Sequence, residues 1–105
     1  MTAFAAKVLA EGQLPSSKGT LYTVPGATKG YVRQMRIFST GAAQTIIIYL
    51  KPGSTSRKQI QFVLSTNESA DVFSETIELE AGDLIEGETT DAATVDYVIT
   101  GVEEA

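Results

Sequence analysis

The side chains that most often carry chemistry are scarce or scattered in this chain. Its 105 residues include no histidine and no cysteine. That removes a serine triad, a thiol nucleophile and any imidazole or thiolate metal site. What remains is thirteen carboxylates, eight Lys and Arg, and four tyrosines. Glycoside hydrolysis needs two acids positioned across a cleft. Thirteen acids supply pairs by chance, but at the strand edges and turns of a domain this small they do not carve one. Glu86, Glu88, Asp91 and Asp96 could gather around Ca²⁺, yet the spaced pattern of an EF-hand loop is absent and solvated charge is the plainer reading. Gly82-Asp-Leu-Ile-Glu-Gly87 has glycines without the strand-to-helix setting that cradles phosphate. Tyr22, Tyr31, Tyr49 and Tyr97 would form a sugar-stacking platform if gathered on one face. They fall on four separate strands and tryptophan is absent, which favours core or interface packing. No cofactor is implied and no catalysis is expected.

The charges are segregated along the chain. All eight Lys and Arg lie at or before Lys58, and twelve of the thirteen Asp and Glu lie at or after Glu68. Eight cations against the single Glu11 give the first 58 residues +7, and the last 47 carry −12. Two readings stand side by side. In one, early and late strands interleave, and the halves neutralise each other within the molecule. In the other, one subunit's basic face meets a neighbour's acidic face. Nucleic acid is not an expected partner, because the basic residues are dispersed and the acidic half would repel phosphate.

The elements that would position these groups are short strands. Thr45–Leu50 (Thr-Ile-Ile-Ile-Tyr-Leu), between Gly41-Ala42 and Pro52-Gly53, predicts a central strand buried on both faces or nearly so. Phe4–Leu14 alternates as an extended arm or first strand, although Ala-Ala-Lys-Val-Leu-Ala-Glu also suits a helical turn. Pro25-Gly26 suits positions i+1 and i+2 of a type II turn. Tyr31–Ser39 alternates imperfectly: Tyr31, Arg33, Met35 and Ile37 are expected on one face, and Val32, Gln34, Arg36 and Phe38 on the other. Gln59–Leu64, Thr76–Leu79, Leu84–Thr89 and Val95–Val102 follow, with Ser65–Ser69 as a loop and a tight turn at Glu80–Asp83. Seven to eight strands with turn signals every 8–12 residues predict an all-β fold, a single-domain antiparallel β-sandwich, jelly-roll or Ig-like. Residues 1–14 would be the arm or first strand, and 15–105 the sandwich. A chain of this length buries roughly 65% of its unfolded surface and needs no disulfide. No apolar run approaches the ~18 residues of a membrane span, and no membrane partner is expected. The N-terminus, with Lys7 breaking its apolar part, reads as mature sequence rather than a signal peptide.

Four segments together carry a family resemblance. They are Leu21-Tyr-Thr-Val-Pro25, Thr45-Ile-Ile-Ile-Tyr-Leu50 before Pro52-Gly53, Leu79-Glu-Ala-Gly-Asp-Leu-Ile-Glu-Gly87, and Val95-Asp-Tyr-Val-Ile-Thr-Gly-Val-Glu103. In order and spacing the chain resembles small all-β virion structural proteins of tailed bacteriophages, from Leu9 onward. It departs from them at turns: Thr40 or Ser39 stands where members often have Asn, and Pro25-Gly26 where they have Pro-Ala-Gly. The resemblance implies a non-enzymatic role in a phage particle, foremost a capsid decoration or cement protein. The alternatives are a tail, baseplate or collar accessory, or a receptor- or carbohydrate-binding module. It implies partners among other virion proteins, a homo-oligomer or repeated lattice copies, and location in the virion after synthesis in the host cytoplasm. The residues expected at a partner interface are Phe4, Lys7 and Val8 on the arm, Tyr31, Arg33 and Arg36 on the arginine-bearing strand, and Arg57 and Lys58.

Overall fold

A computed structural model describes residues 7–73 and 75–104. Among them are nine strands and no helix: β1 (Lys7–Gln13), β2 (Gly19–Thr23), β3 (Lys29–Ser39), β4 (Gln44–Lys51), β5 (Arg57–Leu64), β6 (Ser69–Asp71), β7 (Ile77–Leu79), β8 (Leu84–Thr89) and β9 (Val95–Glu104). They form two antiparallel sheets. The first has the order β1-β9-β3-β6, with β7 sharing β6's edge of β3; the second has the order β2-β8-β4-β5.

This order is one long hairpin, folded over on itself. From the tip at Pro52–Ser56, β4 pairs β5, β3 pairs β6 and β7, β2 pairs β8 and β1 pairs β9. Folding that ribbon into two layers adds the β3·β9 and β4·β8 pairings. The result is the β-sandwich expected from the strand pattern, specifically the double Greek key of a jelly roll. Because β6 and β7 occupy one edge, nine strands fill eight positions. The additional strand is Ser69–Asp71, within a stretch whose polar residues carry no alternation to announce it.

The core lies between the layers. In β4, Ile46 and Ile48 are fully buried while Thr45, Ile47 and Tyr49 are half-covered on the outer face. The strand is central, as expected, but it is buried on one face rather than both. Each of those two isoleucines contributes about 1.5–3 kcal/mol by leaving water. Val95, Tyr97 and Ile99 of β9 point inward to meet them. Val72 joins the same core through the break between β6 and β7, its N–H donating to the Met35 carbonyl at 2.7 Å.

A bulge in β3 corrects the expected faces of that strand. Its pairing with β9 slips between Val32 and Gln34. Val32, Met35 and Ile37 therefore all point inward and are 0% exposed, and Tyr31, Arg33 and Arg36 do not share their face. One extra residue reverses the side-chain alternation beyond it.

Two turns show how the layers are closed. At the β7–β8 turn Gly82 takes φ +87°, its N–H bonding the Val24 carbonyl while the Asp83 carboxylate accepts from the Glu80 N–H. A left-handed residue here is glycine because no Cβ opposes it. At the β2–β3 turn the positive φ falls on Ala27 (+57°), not on Gly26. Pro25-Gly26 is therefore not the centre of a type II turn, which requires positive φ at its third residue.

Candidate functional site

Strand pairing decides which charges meet. Because the ribbon pairs early strands with late ones, cations of the first half are set beside acids of the second. Lys7 Nζ lies 2.8 Å from Glu103 across β1·β9. Lys29 lies 3.2 Å from Glu78 and 3.8 Å from Glu80 beside β7. Arg36 Nε lies 3.3 Å from Asp71 across β3·β6. Exposed pairs of this kind contribute about 0–1 kcal/mol each. Their larger effect is to neutralise the sequence's charge segregation locally.

At one end of the sandwich a tyrosine, a carboxylate and a lysine meet. Tyr22 Oη donates to Glu103 Oε2 at 2.6 Å, while Lys7 holds the other carboxylate oxygen. Burial, and then the Glu103 bond, push Tyr22 well above the ordinary tyrosine value. The Lys7 and Tyr22 hydrogen bonds hold Glu103 below the ordinary carboxylate value. Tyr49 is raised by its bond to Glu88, Tyr97 by burial, and Lys29 by Glu78. All five displacements move away from neutrality, opposite to what a general acid or base working near pH 7 requires. Among the described residues no group of three or more acids, histidines or cysteines is placed to hold a metal ion.

The two outer faces differ. On the second sheet the polar groups satisfy one another. Tyr49 Oη donates to Glu88 at 2.7 Å, Ser56 Oγ donates to Glu86 at 2.7 Å, and Lys18 Nζ stands 4.7 Å from the centre of the Tyr49 ring. On the first sheet the register builds cross-strand rows. Gln13, Asp96, Phe38 and Ser69 form one, Glu11, Val98, Arg36 and Asp71 the next, and Val8, Thr100 and Gln34 a third. Val8 (54% exposed), Val98 (39%) and Phe38 (39%) occupy successive rows on β1, β9 and β3. They make a diagonal apolar stripe, since diagonal neighbours sit within ~7–8 Å. The fourth exposed large apolar residue, Val63, lies apart on the β5 edge.

The expected interface residues divide accordingly. Val8, Tyr31, Arg33 and Arg36 come together on or beside the first sheet's outer face. Arg33 is the bulged residue, exposed between a cleft shared with Gln34 and Thr100 and another shared with Tyr31 and Val102. Lys7 is tied to Glu103 at the rim, and the strand that carries Lys7 and Val8 is paired to the chain's own β9. Arg57 and Lys58 stand on β5, the far edge of the other sheet. Phe4 lies outside the described residues. The four tyrosines do not assemble: Tyr22 and Tyr97 are buried, and Tyr31 and Tyr49 face outward on opposite sheets.

No protein-family model matches this chain, and no curated protein matches it. Its fold does match a solved structure. That chain comes from the Bacillus endospore appendages, which form a novel family of disulfide-linked pili. The match spans 97% of this chain and 88% of that one, with a TM-score of 0.55 and 15% sequence identity. At that identity the likeness establishes the fold.

Three residues of the site region escaped the sequence reading. Val98 and Phe38 are conspicuous only once the register places them with Val8 on an outer face. Gln44, 1% exposed, fastens the loops at one end with four hydrogen bonds. Its signal is a lone amide heading a β-branched run.

Proposed function

We propose that this protein is a non-enzymatic structural subunit that works by packing against neighbours in a repeated assembly. The observation that carries the reading is the apolar stripe on the first sheet's outer face, displayed on a jelly roll in which the five clearly displaced titrating groups all move away from neutrality. The fold likeness to a pilus-forming chain supports the same reading. The neighbour's pili are disulfide-linked, whereas this sequence has no cysteine, so no disulfide from it joins its copies. Weak contacts suffice when each is repeated over an ordered array.

Within that role the sequence resemblance supports a tailed-phage virion, with the protein decorating the capsid exterior and copies of itself and the shell protein as partners. A second reading, a subunit of a filamentous surface appendage, is favoured by the fold match over nearly the whole chain. Antibody labelling in electron micrographs of source virions and cells separates the two. Labelled heads are the expected result. Label on tails moves the protein to an accessory role, and label on filaments favours the appendage. Absence from every ordered assembly would overturn the structural reading.

A further inference from the structure

We infer that the first sheet's outer face is an isologous docking surface for a second copy of this chain, related by a two-fold axis running along β9. This rests on the structural-subunit reading and names the surface it would use. The argument comes from the row Glu11, Val98, Arg36, Asp71. A two-fold axis parallel to β9, lying between two stacked sheets, keeps each row over itself and exchanges β1 with β3. Val98 then meets its own copy, Glu11 meets the second copy's Arg36, and Arg36 meets the second copy's Glu11. An axis perpendicular to the strands would instead set Glu11 on Glu11 and Arg36 on Arg36. Of the axes along and across the strands, the charges therefore favour the one along them, and an isologous contact is self-complementary in this way.

Both partners are available. Glu11 is exposed and has no ion pair among the described residues. Arg36 uses only Nε toward Asp71, at 3.3 Å with both side chains more than half exposed. Its two terminal amino groups remain for a second carboxylate. In the adjoining rows the same axis lays Phe38 over Gln13 and Val8 over Gln34, adding apolar contact. It also brings Asp96, and Glu104 further along the same strand, toward their own copies. Asp96 is already bonded by Gln13 Nε2 at 3.1 Å.

The available area makes this a weak dimer. Under this axis β1, β9 and β3 overlap while β6 has no strand opposite it; three strands ~4.8 Å apart, over about seven residues of ~3.3 Å rise, present roughly 330 Å² of flat area per copy. The pair would bury on the order of 650 Å², below the ~1,200 Å² of a standard specific contact. Association is therefore expected in the micromolar range or weaker, becoming effective when repeated.

Sedimentation equilibrium of the full chain up to ~1 mM, with native mass spectrometry, tests this. Glu11→Lys and Arg36→Glu should each weaken dimerisation on the order of tenfold, because the symmetry counts each exchange twice. Mixing the two variants should restore it as a heterodimer, in which both charge contacts are again attractive. Asp96→Asn should tighten it, and Val98→Asp should abolish it, with thermal unfolding confirming that each variant is folded. A protein monomeric at every concentration overturns the inference. So does a dimer indifferent to the single exchanges, or one that mixing fails to restore. A monomeric protein that still labels an ordered assembly sinks this surface and leaves the structural role standing. Dimerisation through this face by a protein absent from any assembly does the reverse.

Discussion

Gln44 offers the sharpest test of how the fold is fastened. Its Nε2 donates to the Ala42 carbonyl and to Asp91 Oδ2, each at 3.1 Å. Its Oε1 accepts from the Thr89 hydroxyl at 3.0 Å and from the Asp91 N–H at 2.7 Å. The amide thus joins the β3–β4 loop to the end of β8 and the β8–β9 loop. Gln44→Met keeps the side chain's length and removes all four bonds. Ala42 and Asp91 are exposed residues, so the carbonyl and the carboxylate regain water at little cost. Thr89 is 3% exposed, and its hydroxyl is left without the acceptor it has in the native fold. Counting about 1 kcal/mol for each bond accepted by Oε1, and up to about 1 more for the orphaned hydroxyl, gives a loss of roughly 2–3 kcal/mol. Thr89→Val alone removes one bond and orphans only half of an acceptor that keeps Asp91, so about 1 kcal/mol is expected. In the double variant no hydroxyl is stranded, and its cost should fall short of the sum of the singles. Urea unfolding of all four proteins at pH 7, read as midpoint shifts at constant slope, supplies the values. A Gln44→Met loss below about 0.5 kcal/mol, or strict additivity, would refute the network argument.

Three further outcomes follow from the same packing. A Cβ on Gly87 would stand 2.8 Å from Leu21 Cδ1 and 3.0 Å from Ile48 Cδ1, whereas one on Gly101 would run into the Tyr31 backbone carbonyl. Side-chain ends can yield and backbone cannot, so Gly87→Ala should cost about 1–3 kcal/mol and Gly101→Ala more, in that order of melting temperature. The Ser39 hydroxyl is fully buried with no hydrogen-bond partner among the described residues; Ser39→Ala should be neutral or stabilise by up to about 1 kcal/mol in the same urea assay. For pH, Glu103 lies below its ordinary 4.5, so its contribution is intact above that pH and fades as pH falls through its lowered value. Tyr22 lies above its ordinary 10.0, so its contribution is intact below pH 10 and is lost as pH rises beyond it. Tyr22→Phe should flatten the alkaline loss of stability without abolishing it, since Tyr49 and Tyr97 are raised as well; an unchanged alkaline limb would contradict the assignment.

How far the sequence can be read depends on whether a residue's surroundings are local. Ile46 and Ile48, or Val95, Tyr97 and Ile99, declare their inward face by period-two alternation, because a strand's neighbours on one face are two residues away. The bulge at Arg33 is different. Nothing in Tyr31-Val-Arg-Gln-Met marks which residue is extra, so alternation carried across it placed Tyr31 and Arg33 with Met35 and Ile37. β6 was invisible because Ser-Ala-Asp is a strand only by pairing with Arg36–Phe38. The stripe Val8–Val98–Phe38 draws on three strands up to ninety residues apart, and no local pattern could assemble it. Gln44 is legible as an oddity at the head of an apolar run, but its four partners are not.

The charge segregation admits a physical reading that links the ribbon to its surface. In a folded hairpin every cross-arm pair joins an early residue to a late one. Cations in one arm and acids in the other therefore attract in any antiparallel register, while either arm repels a copy of itself. Lys7–Glu103, Lys29–Glu78 and Arg36–Asp71 are what remains of that attraction in the finished sheet. Lys29–Glu78 and Arg36–Asp71 are too exposed to add much stability, yet together the three pairs oppose pairing of like arms, which is how an edge-rich all-β chain would otherwise aggregate. Glu11 breaks the pattern as the single acid among the first 58 residues. It sits in the row of Val98 and Arg36, where it has no cross-strand cation of its own. An acid placed against the trend, opposite an apolar residue and with one strand between it and a half-engaged arginine, makes no ion pair among the described residues. A second copy's arginine supplies one.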